Sequence, residues 1–317
     1  MPLALGLDLG GTNLRAAAID TGSGALAAVR KVHHADRRPG AVVDAAARAV
    51  REAADAAGMT GFSAVGVGLA GQCLGSTGLV LNAPNLGWRD VPFGELLGRA
   101  LGARVRVAND LSAAALGEHR FGAARGVEDA VLLFAGSGVG AGLVLGGRLH
   151  EGAGGVAGEV GHVKVRPRPG TAERRCGCGQ LSCLEAYAGG HAIAARVRED
   201  RASGRAPGLL GAPGGDPAGA GPSEVEAACA AGDRYAAALW EEVAELLGDA
   251  AANLVTLLNP SRLILGGGLL LGGTRLQALV RARLAARVSA SAARSLVVVE
   301  AALGDDAGVV GAALLAV

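Results

Sequence analysis

Two segments of the chain share one pattern, in which an apolar run, a glycine-rich turn and a second apolar run follow one another. The first segment occupies residues 3–20 around Gly10-Gly11-Thr12, and the second occupies residues 130–147 around Gly136-Ser137-Gly138. Short apolar runs on either side of a glycine turn are typical of β-hairpins, because glycine tolerates the backbone angles of a tight turn. Two such hairpins far apart in one chain predict a duplicated α/β architecture.

Segments with helical or strand patterns alternate after each hairpin. The pattern predicts helices over 41–57, 184–199, 233–257 and 274–289 and from 306, with strands over 25–32, 63–69, 104–108, 262–265 and 295–300. Ser223 and Glu226 have the spacing of a capping box, which would begin a further helix. Residues 202–222, rich in Gly and Pro, are predicted to form a flexible surface loop. The alternation as a whole predicts α/β layers with mixed sheets.

Length and charge limit the classes of protein to consider. A chain of 317 residues suggests two domains, because one domain typically has ~150 residues. The net charge is +1, from 30 basic and 29 acidic residues. The sequence therefore has no excess of positive charge that would attract nucleic acid or an anionic membrane. The N-terminus lacks the basic segment of a signal peptide, and we expect a cytoplasmic protein.

The uncharged run from Ala130 to Gly147 is long enough to be considered as a membrane span. Its high density of glycine is unsuited to a helix. We therefore interpret the run as a buried β-hairpin.

Three of the 5 cysteines lie close together, in the segment Cys176-Gly-Cys178-Gly to Cys183. With His162 upstream they form a set of ligands typical of a structural zinc site, and Gly177 and Gly179 would let the chain fold back. A redox centre and plain buried thiols are the alternatives. A disulfide is disfavoured, because Cys-x-Cys partners are hard to bridge without strain.

Carboxylates stand at the ends of two predicted strands. Asp8 comes directly before the first glycine turn, where backbone N–H groups can hold phosphate and the carboxylate can hold Mg²⁺ through water. Asp110 follows Asn109 at the end of another strand and begins a helix. It is either an N-cap or a group that faces a ligand at the carboxyl end of the strand, and the local sequence leaves both open.

The second glycine turn matches the dinucleotide fingerprint in the form Gly136-x-Gly138-x-x-Ala141. That fingerprint must begin a helix, whereas Leu143-Val144-Leu145 continues as a strand, so we reject a Rossmann fold. A Walker motif is also excluded, because neither turn has a lysine nearby.

In combination, these motifs resemble those of the ROK sugar kinases, a family of hexokinases, hexosamine kinases and repressors. The resemblance covers essentially the whole chain and rests on Asp8-x-Gly-Gly-Thr, Asn109-Asp110, Glu159-x-x-His162, the cysteine segment with Glu185, and Gly266-Gly267-Gly268. It implies an α/β, actin-like (ribonuclease H-like), two-domain kinase with an interdomain cleft. Residues 1–110 with 302–317 would form the smaller domain, and residues 111–301 the larger one.

The resemblance also implies roles for particular residues. Asp110 would be the general base toward a sugar 6-hydroxyl, and Asp8 would hold Mg²⁺ through water. The sugar contacts would be Gly71, Asn85, Asn109, Asp110, Glu159, His162 and Glu185. ATP would contact Asp8, Gly10, Gly11, Thr12, Gly136, Ser137, Gly138, Gly266, Gly267 and Gly268. Zinc would be bound by His162, Cys176, Cys178 and Cys183.

The activity implied is ATP-dependent phosphorylation of a hexose, with glucose as the leading substrate. N-acetylhexosamine kinase (for N-acetylmannosamine or N-acetylglucosamine) and fructokinase are alternatives of the same class, because one set of polar residues can serve several sugars. A non-catalytic sugar sensor is the alternative of another class, although family repressors carry an N-terminal DNA-binding segment and strand one here begins at residue 3. A zinc-stabilised structural protein would not require Asp8 and Asp110 beside glycine turns. The family also suggests a homodimer or homotetramer.

Two positions depart from the family pattern. Ser182 stands where the family usually has glycine, and Asn85-Leu86-Gly87-Trp88 lacks a proline that is often present. Neither departure removes a predicted ligand.

Overall fold

Strands and helices alternate through the computed structural model, which describes residues 2–206 and 221–317. The strands are β1 (Leu3–Leu9), β2 (Asn13–Asp20), β3 (Leu26–His33), β4 (Ala64–Leu69), β5 (Gln72–Leu74), β6 (Leu79–Ala83), β7 (Trp88–Val91), β8 (Arg104–Asn109), β9 (Ala130–Ala135), β10 (Val139–Leu145), β11 (Arg148–Leu149), β12 (Arg262–Gly266) and β13 (Val297–Glu300). The α-helices are α1 (Pro39–Ala56), α2 (Phe93–Leu101), α3 (Asp110–Phe121), α4 (Glu185–Ala188), α5 (Gly190–Ala202), α6 (Pro222–Ala230), α7 (Arg234–Leu258), α8 (Arg275–Arg287), α9 (Ala290–Ala293) and α10 (Ala307–Leu314).

Each glycine hairpin belongs to a five-stranded sheet, and the two sheets have the same plan. The first sheet has the order β3-β2-β1-β4-β8, with β1, β2 and β3 antiparallel and β1, β4 and β8 parallel. The second sheet has the order β11-β10-β9-β12-β13, which repeats the arrangement of hairpin, crossover and parallel strand. The predicted duplication and the mixed sheets are therefore confirmed.

The described chain divides into two compact units. The first contains residues 1–132, 142–158 and 301–317, and the second contains residues 133–141 and 159–300. The domain division predicted from the sequence, after residue 110, is a different one and stays a prediction.

In the first unit α3 packs directly on α10. The two helices are so close that a Cβ placed on Gly311 would lie 1.7 Å from the carbonyl oxygen of Ala113. Glycine is thus required where these two helices meet.

The first unit has a core of small and branched apolar side chains. Leu7 of β1 and Val67 of β4 are fully buried, and so is Val50 of α1, which belongs to the same core cluster. On the other face, a Cβ at Gly66 would lie 1.8 Å from the carbonyl oxygen of Ala312 in α10. The C-terminal helix can therefore lie close to the sheet, and it does so beside β4 and beside β1, the strand that carries Asp8.

The uncharged run at residues 130–147 forms the β9–β10 hairpin, as predicted. Most residues of both strands are buried, so their apolar side chains need no lipid surroundings. No helix among residues 2–206 and 221–317 combines the length and apolar character needed to cross a membrane.

Several local predictions differ from the structure. The segment predicted as one helix over 184–199 is interrupted at Gly189, whose backbone is extended (φ −76°, ψ 146°), so α4 and α5 are separate. The capping box at Ser223 and Glu226 is wrong, because α6 begins earlier and Glu224 accepts the backbone N–H of Gly221 at 2.9 Å. Most of the loop predicted over 202–222 lies outside the described residues.

Candidate functional site

Asp8 and Asp110 lie near each other in the first unit. Asp8 is half-buried near the end of β1, and Asp110 is the first residue of α3. Burial, and then the charge of Asp110, raise the pKa of Asp8 from 3.8 to about 6, although Arg15 on β2 opposes the shift. Gly308 leaves room for the carboxylate, because a Cβ there would lie 3.1 Å from Asp8 Oδ2. Two acidic groups held together in this way favour a bound cation.

The helix that begins at Asp110 is capped by its neighbour. Asn109 Oδ1 accepts the backbone N–H groups of Leu111 (2.9 Å) and Ser112 (3.2 Å), which is the N-cap arrangement. Asp110 Oδ1 accepts the N–H of Leu111 at 2.9 Å. Asn109 is therefore the N-cap, and the interpretation of Asp110 as the N-cap is wrong.

The first glycine turn has predicted sugar contacts close to it. A Cβ at Gly11 would lie 2.9 Å from the Cβ of Asn85, so the two residues are in direct contact. Asn109 Nδ2 donates to the carbonyl oxygen of Gly71 at 3.1 Å. Thr12 is exposed, and its carbonyl oxygen accepts the backbone N–H of His34 at 2.8 Å. The structure thus brings Gly71 to Asn109, and Asn85 to the turn.

In the second unit, His162, Cys176, Cys178 and Cys183 converge. One ligand atom from each lies within 4.8 Å of the others, and the Sγ atoms of Cys178 and Cys183 are 3.7 Å apart. A tetrahedral zinc ion with Zn–S bonds of ~2.3 Å separates its sulfur ligands by about 3.8 Å. A disulfide requires an S–S distance of ~2.05 Å, and these cysteines are free. The four side chains therefore fit a zinc ion.

The two ring nitrogens of His162 face different groups. Nδ1 is 3.7 Å from Cys176 Sγ, and Nε2 is 3.4 Å from a carboxylate oxygen of Glu159. A histidine that gives one nitrogen to a metal and directs the other toward a carboxylate is common in zinc proteins, because the carboxylate fixes the orientation of the ring. Glu159 and His162 are thus placed as a pair.

Glu185 connects the cysteine cluster with the second glycine turn. Its Oε2 accepts the backbone N–H of Val139 at 3.0 Å, and its Oε1 is 3.9 Å from Cys176 Sγ. A Cβ at Gly138 would lie 2.5 Å from Oε2, so the turn passes close to the carboxylate only because residue 138 is glycine. The orientation of Glu185 therefore depends on both neighbours.

The remaining predicted phosphate residues lie around the second turn. Gly136 and Ser137 direct their carbonyl oxygens to the backbone N–H groups of Gly190 (2.8 Å) and His191 (3.1 Å), at the start of α5. Gly266 ends β12 and is followed by Gly267 and Gly268, and a Cβ at Gly267 would lie 2.2 Å from the carbonyl oxygen of Ala135. The two glycine segments are thus adjacent in the second unit.

Two features of the cysteine segment are not predictable from the sequence pattern, namely the contacts of Lys164 and the backbone conformation of Ser182. Lys164 Nζ donates to the carbonyl oxygen of Leu181 (3.0 Å) and to Cys183 Sγ (3.1 Å). Ser182 has a φ of 58°, in the left-handed region that glycine adopts most readily, and its hydroxyl donates to Glu173 at 2.8 Å. This backbone accounts for the glycine that the resemblance leads one to expect there.

Comparisons with known proteins give one consistent result. The model of the ROK family matches residues 4–317. A glucokinase of Streptomyces coelicolor is 35% identical over 319 residues, which cover 100% of this chain and 98% of that protein. The crystal structure of a ROK hexokinase from Thermus thermophilus has a TM-score of 0.83 at 32% identity and covers 99% of this chain and 98% of that one. A ROK glucokinase from Streptomyces griseus, in complex with glucose and AMPPNP, has a TM-score of 0.75 at 35% identity and covers 99% of both chains.

Proposed function

The chain belongs to the ROK family, and we propose that it transfers the terminal phosphoryl group of ATP to the 6-hydroxyl of a hexose, with glucose as its substrate. Its fold is the actin-like, two-domain fold of the ROK sugar kinases. The enzyme is accordingly an ATP-dependent sugar kinase of the glucokinase type.

The observation that carries this proposal is the proximity of Asp8 and Asp110 in the first unit. Burial, and then the charge of Asp110, raise the pKa of Asp8, so the two carboxylates interact electrostatically. Asp8 lies near the end of β1, just before the glycine turn, and Asp110 begins α3 directly after its N-cap, Asn109. Phosphoryl transfer needs a base for the hydroxyl and a group that holds Mg²⁺ beside the phosphates, and this pair can supply both.

We assign the general base to Asp110. A sugar hydroxyl is a weak nucleophile near neutral pH, and a positioned carboxylate that accepts its proton accelerates such a step by ~10²–10⁴-fold. Asn109 supports this role, because its side chain is the N-cap of α3 and the carboxylate of Asp110 is not. The cap also fixes the first turn of the helix, on which Asp110 stands.

We assign the phosphate side to Asp8 and the glycine segments. Asp8 would hold Mg²⁺ through water, and the ion would neutralise charge on the transferred phosphoryl group. Backbone N–H groups of Gly10, Gly11 and Thr12 would bind phosphate oxygens, and the segments 136–138 and 266–268 would contact the rest of ATP. Glycine suits this task because it lets the backbone approach a ligand closely.

The sugar would be bound by side chains with hydrogen-bonding groups. We propose Asn109, Glu159, His162 and Glu185 as the main contacts, with Gly71 and Asn85 beside the first turn. Zinc, when bound by His162 and the three cysteines, would fix the ring of His162 and the loop that carries these groups. The ring of His162 would then be held by its Nδ1, and its Nε2 and the Glu159 carboxylate would face one hydroxyl together.

The setting of the enzyme follows from the same chemistry. We propose a cytoplasmic location, where free thiols such as those of Cys176, Cys178 and Cys183 stay reduced. The homodimer or homotetramer suggested by the family is also a proposal, and light scattering of the purified protein would test it. We propose no role in binding nucleic acid, in line with the net charge of +1.

A coupled kinase assay over several sugars tests the proposed function. Purified enzyme with ATP and Mg²⁺ should phosphorylate glucose with a higher kcat/KM than N-acetylmannosamine, N-acetylglucosamine or fructose. A preference for one of the other three sugars would move the substrate within the class. If glucose bound in calorimetry but no sugar consumed ATP, the protein would be a sugar sensor and the proposal would be wrong.

A further inference from the structure

His34 lies directly behind the first glycine turn. It follows β3, its side chain is buried with 6% of its surface exposed, and its Nε2 is 3.2 Å from the carbonyl oxygen of Gly10. Its backbone N–H also donates to the carbonyl oxygen of Thr12 at 2.8 Å. One residue therefore holds the turn at two points, once with its backbone and once with its imidazole.

The bond to Gly10 has a consequence for the next residue. A carbonyl oxygen only accepts hydrogen bonds, so Nε2 of His34 must carry a proton and donate it. The peptide bond between Gly10 and Gly11 is planar and trans, so its C=O and N–H groups point in opposite directions. A carbonyl that is directed inward to His34 thus directs the N–H of Gly11 away from the imidazole.

The turn needs such an anchor because of its composition. Two consecutive glycines have more backbone freedom than any other pair of residues, and the Gly10–Gly11 peptide can rotate as a unit unless its polar groups are held. Gly10 donates its own N–H to the carbonyl oxygen of Asn13 at 2.9 Å, and Gly11 is in contact with Asn85. The anchor of the Gly10 carbonyl is the imidazole of His34.

The other ring nitrogen supports a positioning role. His34 Nδ1 is buried and has no hydrogen-bond partner within residues 2–206 and 221–317. A buried imidazole with one unsatisfied nitrogen is costly to keep, because that nitrogen has lost its hydrogen bonds to water. A purely apolar side chain would fill the space without that cost, so the polar contact with Gly10 is the distinctive contribution of His34.

We infer that His34 is a positioning residue that orients the Gly11 N–H toward a phosphate of the bound nucleotide. It does not touch substrate, and it acts through the Gly10–Gly11 peptide. The inference rests on the proposed function, because it takes the first glycine turn as the phosphate-binding turn. The side chain lies far along the chain from the turn, and neither motif nor spacing marks it in the sequence.

Two isosteric amides and one matched histidine test the inference. In His34→Gln the amide nitrogen reaches the position of Nε2 and can donate to Gly10, whereas in His34→Asn it reaches only the position of Nδ1. His119 is the matched control, since its Nε2 is 2.7 Å from the carbonyl oxygen of Val127 in the same unit. The readouts are the dissociation constants of AMPPNP with Mg²⁺ and of glucose, each from calorimetry, together with kcat, KM and the melting temperature.

The inference predicts that His34→Asn weakens AMPPNP binding by about tenfold, the effect of one lost positioning hydrogen bond, and leaves glucose binding within about twofold. His34→Gln should restore nucleotide binding to within about threefold, and His119→Ala should lower the melting temperature without changing nucleotide binding. Equal nucleotide affinity in the Gln and Asn variants, or parallel loss of both ligands, would overturn the inference. A wild-type protein that bound AMPPNP but phosphorylated no sugar would refute the proposed function alone, because the binding measurements would still decide the role of His34.

Discussion

Replacing Asp8 with Asn should make the free protein more stable while it abolishes turnover. The carboxylate of Asp8 is half-buried beside Asp110, and the fold disfavours its charged form, which raises its pKa to about 6. Asparagine has nearly the same shape and carries no charge. The substitution therefore removes an unfavourable interaction that the folded protein carries at neutral pH.

The size and pH dependence of the effect follow from the pKa. A rise from 3.8 to about 6, at ~1.36 kcal/mol per pH unit, corresponds to an upper limit of about 3 kcal/mol. Between these two pH values the folded state binds more protons than the unfolded state, so the contribution of Asp8 to stability falls as the pH rises through this window. We expect Asp8→Asn to gain ~1–3 kcal/mol at pH 8 and almost nothing near pH 4.

Urea unfolding of the ligand-free protein at several pH values measures this difference. Asp44→Asn is the control, because Asp44 is an exposed carboxylate on α1, outside the proposed site. Its unfolding free energy should stay within ~0.5 kcal/mol of wild type at every pH, as for most surface substitutions. If Asp8→Asn were less stable than wild type at pH 8, or if its gain did not shrink on acidification, the electrostatic reasoning would be wrong.

Three further predictions concern the cysteine cluster and the core. Chelation of zinc, or Cys178→Ser, should raise the KM for sugar before it unfolds the protein, and global unfolding under mild chelation would contradict this. Lys164→Met should release zinc faster to a chromophoric chelator, because a zinc site with three thiolates carries a net charge of −1 that the ammonium group of Lys164 offsets. Lys164→Arg keeps a positive charge and should retain the zinc, so equal release rates in the two variants would refute this. Glu118 is fully buried and accepts the N–H groups of Ala123 (2.7 Å), Ala302 (2.9 Å) and Leu303 (2.8 Å), so Glu118→Gln should lower the unfolding free energy by ~2–4 kcal/mol in urea.

The sequence was most informative where local pattern and local structure coincide. The apolar runs around both glycine turns form the predicted hairpins, and the long helix α7 ends at Asn259, whose φ of 44° is the left-handed cap that precedes Pro260. Each of these features is determined by residues that are neighbours along the chain. The cysteine cluster was also predictable, because its three thiols lie within one short segment.

The missed features depend on distant contacts or on weak local patterns. The small sheet of β5, β6 and β7 consists of strands too short to show a clear period. Ser223 and Glu226 have the spacing of a capping box, but Glu226 instead accepts the Nε1–H of Trp240 from α7 and the backbone N–H of Arg275. Such partners cannot be found from spacing alone.

The candidate site shows the same division. Asp8 and Asp110 were found because each stands at a strand end beside a recognisable motif. The capping role of Asn109 could have been weighed from the sequence, since asparagine is a favoured N-cap and stands directly before the helix. The roles of His34 and Lys164 could not be predicted, because each acts through contacts with residues on a different segment.

The kinetics and glucose affinity of Asp110→Asn test the central claim most directly. If Asp110 is the general base of a sugar kinase, the variant should lose ~10²–10⁴-fold in kcat, while calorimetry gives a dissociation constant for glucose within about threefold of wild type. Turnover close to that of the wild type would contradict the account.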